Sequence, residues 1–186
     1  MFAFPLSHVY RKKLRMEKKT FVTVFYLLVC GLTFAQNQSK DEEAISKQID
    51  AMIYSWNNHN YDDLKNYTTE DTDWVNVVGM RWRGRKESQY AHQAYHDTIF
   101  KTSVCEKISV DIRLLTSDVA VAHIVWHFTD PNPVPLPDGK MPGPSDGLAM
   151  LVYVKQSGKW MLTAGENVMI DHGAQAFDPV KQMPKN

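Results

Sequence analysis

The sequence has few of the features that mark well-known classes of enzyme. Only two of its 186 residues are cysteines, Cys30 and Cys105, so no disulfide framework can hold the fold together. The glycine patterns of the P-loop and of dinucleotide-binding folds are absent, and so is the H-E-x-x-H pattern of zinc proteases. We therefore expect no cofactor, and no signature of redox or nucleotide chemistry is present.

The chain also has no excess of charge of either sign. Lysine and arginine together number 21, and aspartate and glutamate together number 21. A balanced charge gives no overall field that would favour nucleic acid or an anionic membrane. Internal repeats and low-complexity segments are absent too. At this length we expect one domain with a short extension and a core of ample size.

The apolar run from Phe21 to Phe34 is too short to cross a bilayer comfortably, but it suits the centre of a signal peptide. Basic residues precede it, and Thr33-Phe34-Ala35 ahead of Gln36 forms a small-x-small cleavage site. We predict that residues 1–35 are a signal peptide, that the protein is exported to the periplasm or the medium, and that the mature chain begins near Gln36. Met16 is a second candidate for the start of translation, which would make residues 1–15 an artefact of gene prediction. An uncleaved membrane anchor is the alternative. Cleavage would leave Cys105 alone, as a structural thiol.

Hydrophobic spacing predicts two main helices and two hairpins of strands. The first helix, from Asp41 to Asn57, has an apolar stripe of Ile45, Ile49, Met52, Ile53 and Trp56. The second, from Lys86 to Phe100, has a predicted buried face of Tyr90, Ala91, Ala94, Tyr95 and Ile99. Between them we expect a short helix, Tyr61–Tyr67, after a turn in which His59 faces solvent. The predicted hairpins are Val104–Leu115 with Val119–Thr129 and Leu148–Lys155 with Lys159–Met169.

The stretch from Asp71 to His96 concentrates side chains that suit a pocket. Trp74 and Asn76 share one side of a predicted strand, a turn at Gly79-Met80 follows, and Trp82 lies on a short return strand. His92 and His96 come one turn apart on the helix, so both can meet one ligand. Indoles, a carboxamide and imidazoles in one short span are typical of a small-molecule pocket. An amphipathic strand and helix with purely structural aromatics is the alternative.

The run DWVNVVGMRWRGRKES (73–88), followed by AHQAYH (91–96), resembles the SnoaL-like branch of the nuclear-transport-factor-2-like superfamily, and within it the SgcJ/EcaC group. SDVAVAHIVW (117–126) and GKWMLTAGEN (158–167) are similar to that group's strands. The resemblance implies an α+β fold, a cone-shaped cystatin-like structure with a curved antiparallel sheet wrapped around N-terminal helices. It also implies a homodimer and a small-molecule cavity. On this basis residues 36–175 form the domain and residues 176–186 a C-terminal tail.

The resemblance implies no single reaction, because this fold hosts many functions. The first hypothesis is an enzyme that performs general acid–base chemistry on a compact, partly apolar substrate. The alternative is a non-catalytic, dimeric ligand-binding module. The candidate proton-transfer residues are His92, His96, His123 and Glu166. The candidate substrate-binding residues are Trp56, Trp74, Asn76, Met80, Trp82, Trp126 and Asn167.

Four further expectations concern particular segments of the chain. Gly165-Glu166-Asn167 stands where the group's pattern tends to read aromatic-His-Asn, so a carboxylate replaces an imidazole. A pair of histidines four residues apart can supply two zinc ligands, but no further ligand accompanies His92 and His96, and we expect no metal.

Leu148–Val154 is apolar at both alternating positions, which predicts a second layer supplied by a second copy. The proline-rich segment 130–147 is a flap over the cavity, an arm on a partner subunit, or a passive loop.

Overall fold

The computed structural model describes residues 40–135, 139 and 143–184. The predicted signal peptide, residues 1–35, lies outside the described residues, and so do the last two residues of the tail. By its internal contacts Glu42–Asn186 is one compact unit, and the fold below is that of this unit.

One curved sheet and two helices make up this unit. Helix α1 covers residues 40–57 and helix α2 covers Gly84–His96. The strands are β1 (Thr68–Val75), β2 (Arg81–Arg83), β3 (Val104–Leu114), β4 (Val119–Thr129), β5 (Ser145–Gln156) and β6 (Lys159–Met169). Single 3-10 turns occupy Leu64–Asn66, Ala174–Phe177 and Pro179–Gln182. The strand order is β2-β1-β6-β5-β4-β3, and the predicted α+β cone fold is confirmed.

The sheet is mixed rather than wholly antiparallel as expected. Strands β1 and β6 pair in parallel, whereas the other four pairings are antiparallel. Parallel neighbours need a long crossover between them. Here α2 and the β3–β5 meander supply it, so the first long strand of the chain returns to lie beside the last.

Helix α1 packs one apolar stripe on the inner face of the sheet, the face that carries the helices. Ile45 and Ile49 are fully buried in one cluster with Ala122 and Ile124 of β4. The predicted stripe is therefore confirmed. Asn57 fixes the end of the helix, because its carboxamide donates to the Cys105 carbonyl at 2.9 Å and accepts from the Cys105 amide at 2.8 Å.

Helix α2 begins where Gly84 adopts a φ of +73°, a conformation that favours glycine. The Glu87 carboxylate accepts from the Arg83 amide at 2.7 Å and so satisfies a backbone donor at the start of the helix. The Arg85 guanidinium donates to the Thr68 carbonyl at 2.6 Å, which ties the helix to β1. These contacts fix the direction in which the helix presents its histidines.

The prediction of which face of α2 is buried is wrong. Tyr90, expected in the core, is 78% exposed, and Ala94 is exposed as well. Ser88 and His96 are the buried residues of this helix instead. The inward stripe is polar because it borders a cavity, and an apolar pattern cannot reveal such a stripe.

A β-bulge in β6 reverses the side on which the second half of that strand presents its residues. Leu162 pairs with Tyr153 and Ala164 pairs with Val152, so Thr163 is an additional residue with no partner of its own. Trp160 and Leu162 before the bulge therefore share the inner face with Gly165 and Asn167 after it. Residues on the other side of the strand, Glu166 among them, face outward.

The outer face of the sheet has an apolar centre. Val121, Leu148 and Val152 are half-buried there, and Met150 is 46% exposed. The homodimer expected to cover this face stays a prediction. No helix within the described residues has the length and hydrophobicity needed to cross a membrane.

Candidate functional site

A cavity of about 660 Å³ lies between the inner face of the sheet and the two helices. Small-molecule sites typically have volumes of roughly 300–1,000 Å³. Its described lining includes no lysine, arginine, aspartate or glutamate. The aromatic part of the wall consists of Trp56, Tyr61, Tyr67, Trp74, Trp82, Tyr95, Phe100, Trp126 and Phe128. As far as the described residues go, the lining is therefore mostly apolar and has no formally charged side chain.

The structure brings six of the seven predicted substrate-binding residues into this one wall: Trp56, Trp74, Asn76, Trp82, Trp126 and Asn167. Met80 is not part of the lining, but its sulfur accepts a hydrogen bond from the hydroxyl of Tyr95, which does line the cavity. The Asn76 carboxamide oxygen accepts from the Val78 amide at 3.1 Å and the Met80 amide at 2.8 Å. That oxygen is therefore engaged in the β1–β2 turn, and only the amide nitrogen of Asn76 is left for a ligand.

His123 and Glu166 do not reach the cavity, so the prediction that they share it with His92 and His96 is wrong. Both are exposed on the outer face, where each pairs with Met150 of β5. Glu166 faces outward because the bulge at Thr163 shifts the alternation by one residue. His123 faces outward because its strand neighbours, Ala122 and Ile124, occupy the buried inner positions.

His92 is an imidazole whose protonation pattern is fixed by its surroundings. Its Nδ1 lies 2.7 Å from the Ser88 carbonyl, which can only accept, so Nδ1 carries the proton. The Nε2 lone pair has no hydrogen-bond partner among the described residues. Tyr61 stacks on the ring at 4.9 Å, and Trp74 and Trp82 meet it edge-on at 5.4 and 4.9 Å. Burial lowers the pKa of His92 to about 4, so the ring is neutral at pH 7.

His96 is the centre of a chain of three hydrogen-bonding groups. Its Nε2 lies 3.1 Å from the Tyr61 hydroxyl, and its Nδ1 lies 2.8 Å from Nδ1 of His59. Burial lowers the pKa of His96 to about 4, with smaller contributions from His59 and His92. Burial also raises the pKa of Tyr61 well above its usual value, so this phenol is protonated at pH 7. His59 joins this chain instead of facing solvent as predicted.

This chain has two hydrogen-bonding directions. A neutral His96 carries one N–H, so it accepts from one neighbour while it donates to the other. In the first arrangement Tyr61 donates to His96, and His96 donates to His59. In the second, His59 donates to His96, His96 donates to the Tyr61 oxygen, and the phenol proton is free to point into the cavity. Tyr61 can therefore present a proton to a ligand, and His59 can replace it.

Four buried polar atoms have no hydrogen-bond partner among the described residues, and all four belong to residues that line this cavity. They are the indole nitrogens of Trp56 and Trp126, the hydroxyl of Ser88 and the carboxamide oxygen of Asn167. Buried polar groups are nearly always paired in native proteins. Within the described residues, these unpaired polar atoms are therefore concentrated in the walls of this cavity.

Two glycines make room for the indoles of the cavity floor. A Cβ atom on Gly165 would lie 2.4 Å from the ring of Trp74, and one on Gly147 would lie 2.3 Å from the indole nitrogen of Trp126. Gly165 thus has a structural reason, because the ring of Trp74 from β1 occupies the space that a side chain at this position would need.

Sequence reasoning missed Ser88, Tyr61 and Gln93 as parts of the site. Gln93 accepts from the Tyr61 amide at 3.1 Å and donates to the His59 carbonyl at 3.1 Å, so it holds both ends of the chain around His96. The spacing of Ser88, His92 and His96 along one face of α2 was the available signal. Helix α2 packs against the turn at His59, and a local sequence pattern does not predict such a tertiary contact.

Ser145 lies within a G-x-S-x-G string, Gly143 to Gly147, of the type that holds the nucleophile of many hydrolases. That chemistry needs a sharp turn from a strand into a helix, whereas Ser145 is the first residue of β5. Gly143, Pro144 and Ser145 line the cavity. The end of the proline-rich segment therefore contributes to the wall, and the string gives no support for a serine nucleophile.

The described residues include no group of three or more histidines, cysteines, aspartates or glutamates that could hold a metal ion. Cys105 is buried, without a disulfide, and burial raises the pKa of its thiol to about 12. A thiol with so high a pKa is a poor nucleophile at pH 7.

Solved structures with the same architecture identify the class of protein. An uncharacterized protein with a cystatin-like fold from Caulobacter vibrioides is 30% identical at a TM-score of 0.71, over 76% of this chain and 98% of that one. A nuclear-transport-factor-2-like protein from Salmonella enterica is 22% identical at 0.57, over 72% and 94%. A hexachlorocyclohexane dehydrochlorinase is 10% identical at 0.59, over 73% and 88%. The chain has the cystatin-like fold of the Caulobacter vibrioides protein, and its fold is similar to that of nuclear-transport-factor-2-like proteins.

No family model and no curated protein matches the chain. The SnoaL-like branch and the SgcJ/EcaC group therefore stay a prediction that depends on the sequence segments quoted above.

Proposed function

We propose that the protein is an enzyme of the SnoaL-like type that moves protons on a compact, partly apolar substrate, in an isomerisation or an elimination. The observation that carries this proposal is His92. Its tautomer is locked by the Ser88 carbonyl, so its unprotonated Nε2 is the atom available to accept a proton. With a pKa of about 4 the imidazole is unprotonated throughout the neutral range, so the lone pair of Nε2 is available.

Tyr61 supplies the proton in this proposal. Its ring stacks on His92, so donor and acceptor border the same part of the cavity. When the hydrogen bonds around His96 run from His59 towards Tyr61, the phenol proton is free for the substrate. The substrate C–H bond then breaks as His92 takes the proton, and Tyr61 protonates the oxygen or leaving group that gains the electron pair. His96 and His59 restore the proton of Tyr61 from outside.

The fold neighbours are compatible with this class of reaction. The dehydrochlorinase with this fold is named for an elimination, which requires removal of a proton next to a leaving group. Its low identity to this chain makes it support for the fold only. The histidine and tyrosine of the present cavity are the support that belongs to this chain.

The test is a proton-exchange assay that needs no knowledge of the natural substrate. A panel of compact cyclic ketones and β-hydroxy ketones is incubated with the protein in D₂O and followed by NMR. We expect deuterium to enter next to the carbonyl, or water to be lost, for at least one compound. His92→Gln should slow that reaction by about a hundredfold or more, while His123→Gln, the same change on the outer face, should leave the rate unchanged.

Ligand binding without exchange or elimination anywhere in the panel would replace this proposal with the non-catalytic binding module. An unchanged rate in the His92→Gln protein would exclude His92 as the base. Circular dichroism on each variant separates loss of chemistry from loss of fold.

A further inference from the structure

Gln93 of helix α2 is hydrogen-bonded to the backbone of both outer members of the chain that His96 centres. Its carboxamide oxygen accepts from the Tyr61 amide and its nitrogen donates to the His59 carbonyl, both at 3.1 Å. The nitrogen also donates to the Asp97 carboxylate at 2.8 Å. A backbone N–H can only donate, whereas a carbonyl or a carboxylate can only accept, so the orientation of this carboxamide is fixed. An apolar residue in place of Gln93 would lose all three bonds together.

The backbone of His59 adopts a conformation that residues other than glycine rarely adopt. Its φ is +53°, in the left-handed region where glycine is the usual residue after a helix. The His59 amide donates to the Trp56 carbonyl at 3.0 Å, so the residue lies in the turn that ends α1. A side chain placed at such a position is a candidate for a functional role.

The imidazole of His59 makes a contact that requires accurate placement. Its Nδ1 lies 2.8 Å from Nδ1 of His96, so a hydrogen bond between the two rings holds one proton. Such a bond weakens steeply when its length or angle changes. The two rings come from separate elements, the turn after α1 and helix α2. Gln93 lies on the same helix as His96 and is bonded to the backbone of that turn, so it fixes one ring relative to the other.

We infer that Gln93 is a positioning residue, which holds the turn so that the His59 imidazole connects His96 and Tyr61 to the solvent. His59 is half-buried, whereas His96 is 2% exposed and Tyr61 is 3% exposed. His59 is therefore the member of the chain that can exchange protons with water. This role deepens the proposed function, in which the chain returns the proton of Tyr61, and rests on it only where turnover is measured.

The first test needs no substrate. In protein with isotope-labelled histidine, a hydrogen bond between the rings of His59 and His96 gives a scalar coupling between their Nδ1 atoms, which NMR detects at pH 7. We expect this coupling in the wild-type protein and its loss in Gln93→Leu, because the turn is then no longer bonded to α2. Gln93→Glu keeps the acceptor for the Tyr61 amide but loses both donated bonds. It should also lose the coupling, and it serves as the second variant if Gln93→Leu does not fold.

Gln89→Leu is the matched control. Gln89 is the same residue type one turn earlier on α2, and its side chain donates to the Asp62 carboxylate at 3.3 Å. It therefore bonds to the same part of the chain, but not to the backbone of His59 or Tyr61. The coupling between the two imidazoles should persist in this variant, whereas a general weakening of the contact between α2 and the turn would remove it here as well.

The second test uses a compound that reacts in the proton-exchange assay. Gln93→Leu and His59→Gly should each lower the rate at saturating substrate by about ten- to a hundredfold, as expected for a misplaced group. KM should change little, because neither side chain is part of the described cavity lining. Free imidazole should restore the rate of His59→Gly, since glycine suits the left-handed backbone and leaves the space of the ring. It should not restore Gln93→Leu, in which the His59 side chain is still present.

The inference and the proposed function fail separately. A coupling that persists in Gln93→Leu, or that is absent from the wild-type protein, would overturn the inference and leave the enzyme in place. Loss of the coupling in Gln93→Leu, with no compound that reacts, would remove the enzyme and keep the positioning role. Loss of the coupling with an unchanged rate would overturn the role of His59 in returning the proton. Circular dichroism of each variant separates a displaced turn from a lost fold.

Discussion

The two sides of the sheet place histidine in opposite environments. On the cavity side, His92 and His96 lie among aromatic rings, and burial lowers the pKa of both to about 4. On the outer side, His127 and His172 both hydrogen-bond to the Asp146 carboxylate, at 2.6 and 2.7 Å. Those hydrogen bonds lower the pKa of Asp146. The cavity side thus holds neutral groups that can exchange protons, and the outer side holds carboxylates and imidazoles that pair with one another.

The comparison teaches that the side of a strand, and not the residue type alone, decides what a histidine or a carboxylate can do. Glu166 and Asn167 are adjacent in the sequence, yet Asn167 lines the cavity and Glu166 is exposed. Adjacent residues of a strand face opposite sides, and the additional residue Thr163 decides that Asn167 rather than Glu166 faces the cavity. Three predictions test the contrast between the two sides.

The largest effect is expected on the outer face, which we propose is covered by a second copy of the chain. Light scattering on a chain of residues 36–186 should give the mass of two chains at micromolar concentration. Met150→Glu should give the mass of one, because an uncompensated charge buried at the interface costs roughly 3–5 kcal/mol. Glu166 pairs beside Met150 and adds like-charge repulsion.

Tyr90→Glu is the control for this prediction, since Tyr90 lies on α2 and is 78% exposed. It should leave the mass of two chains unchanged. A wild-type protein that is monomeric at these concentrations would contradict the dimer, and the apolar outer face would then need another explanation.

A smaller effect is expected on the cavity side when the pH is lowered. His92 and His96 have folded pKa values of about 4 against an ordinary value of 6.5. Below pH 6.5 the unfolded state therefore binds more protons, and stability falls as the pH drops towards 4. His59 and Tyr61 are the other titratable groups in contact with His96, and Asp97 opposes its shift slightly.

Urea unfolding at pH 7.5 and pH 5.0 measures this loss, which should be roughly 2 kcal/mol for His92. His92→Gln should reduce the difference between the two pH values, and His123→Gln should leave it unchanged. An identical pH dependence in the wild-type and His92→Gln proteins would show that this imidazole is solvated in the folded state.

The smallest effect compares two neighbouring residues of β6. In Gly165→Ala the new methyl group would lie 2.4 Å from the ring of Trp74, and overpacking of this kind costs about 1–3 kcal/mol. Glu166→Ala on the exposed side should change the free energy of unfolding by less than about 0.5 kcal/mol. Urea unfolding of both variants provides the measurement, and equal values would mean that Trp74 moves aside without cost.

Most of the architecture could be predicted from the sequence, because long elements have strong periodicity. The apolar stripe of α1 and the two hairpins β3–β4 and β5–β6 agree with the structure to within a few residues. The turn between β5 and β6 is an example, since Ser157 and Gly158 take the positive φ values of 51° and 80° that tight hairpins need. The parallel pairing of β1 with β6 joins distant parts of the chain, and no local signal records it.

The site could be predicted only in part, because two of its determinants break the rules of local patterning. The inner stripe of α2 is polar, so a search for apolar faces selected Tyr90 instead of Ser88. The bulge at Thr163 adds one residue to an otherwise regular alternation. A prediction that did not include the bulge therefore placed Glu166 in the cavity, whereas the residue faces outward. Trp74, Trp82, His92 and His96 were found because the turn and helix that place them are close in sequence.

The pairing of Gly165 with Trp74 and of Gly147 with Trp126 has a consequence for how this cavity changes during evolution. A larger residue at either glycine meets an indole at once, so the step is costly while the tryptophan is present. Replacing the tryptophan first removes the obstacle, after which a larger side chain can enter from the strand. We expect the shape of the cavity floor to diversify through such ordered double substitutions, with the tryptophan changing before the glycine.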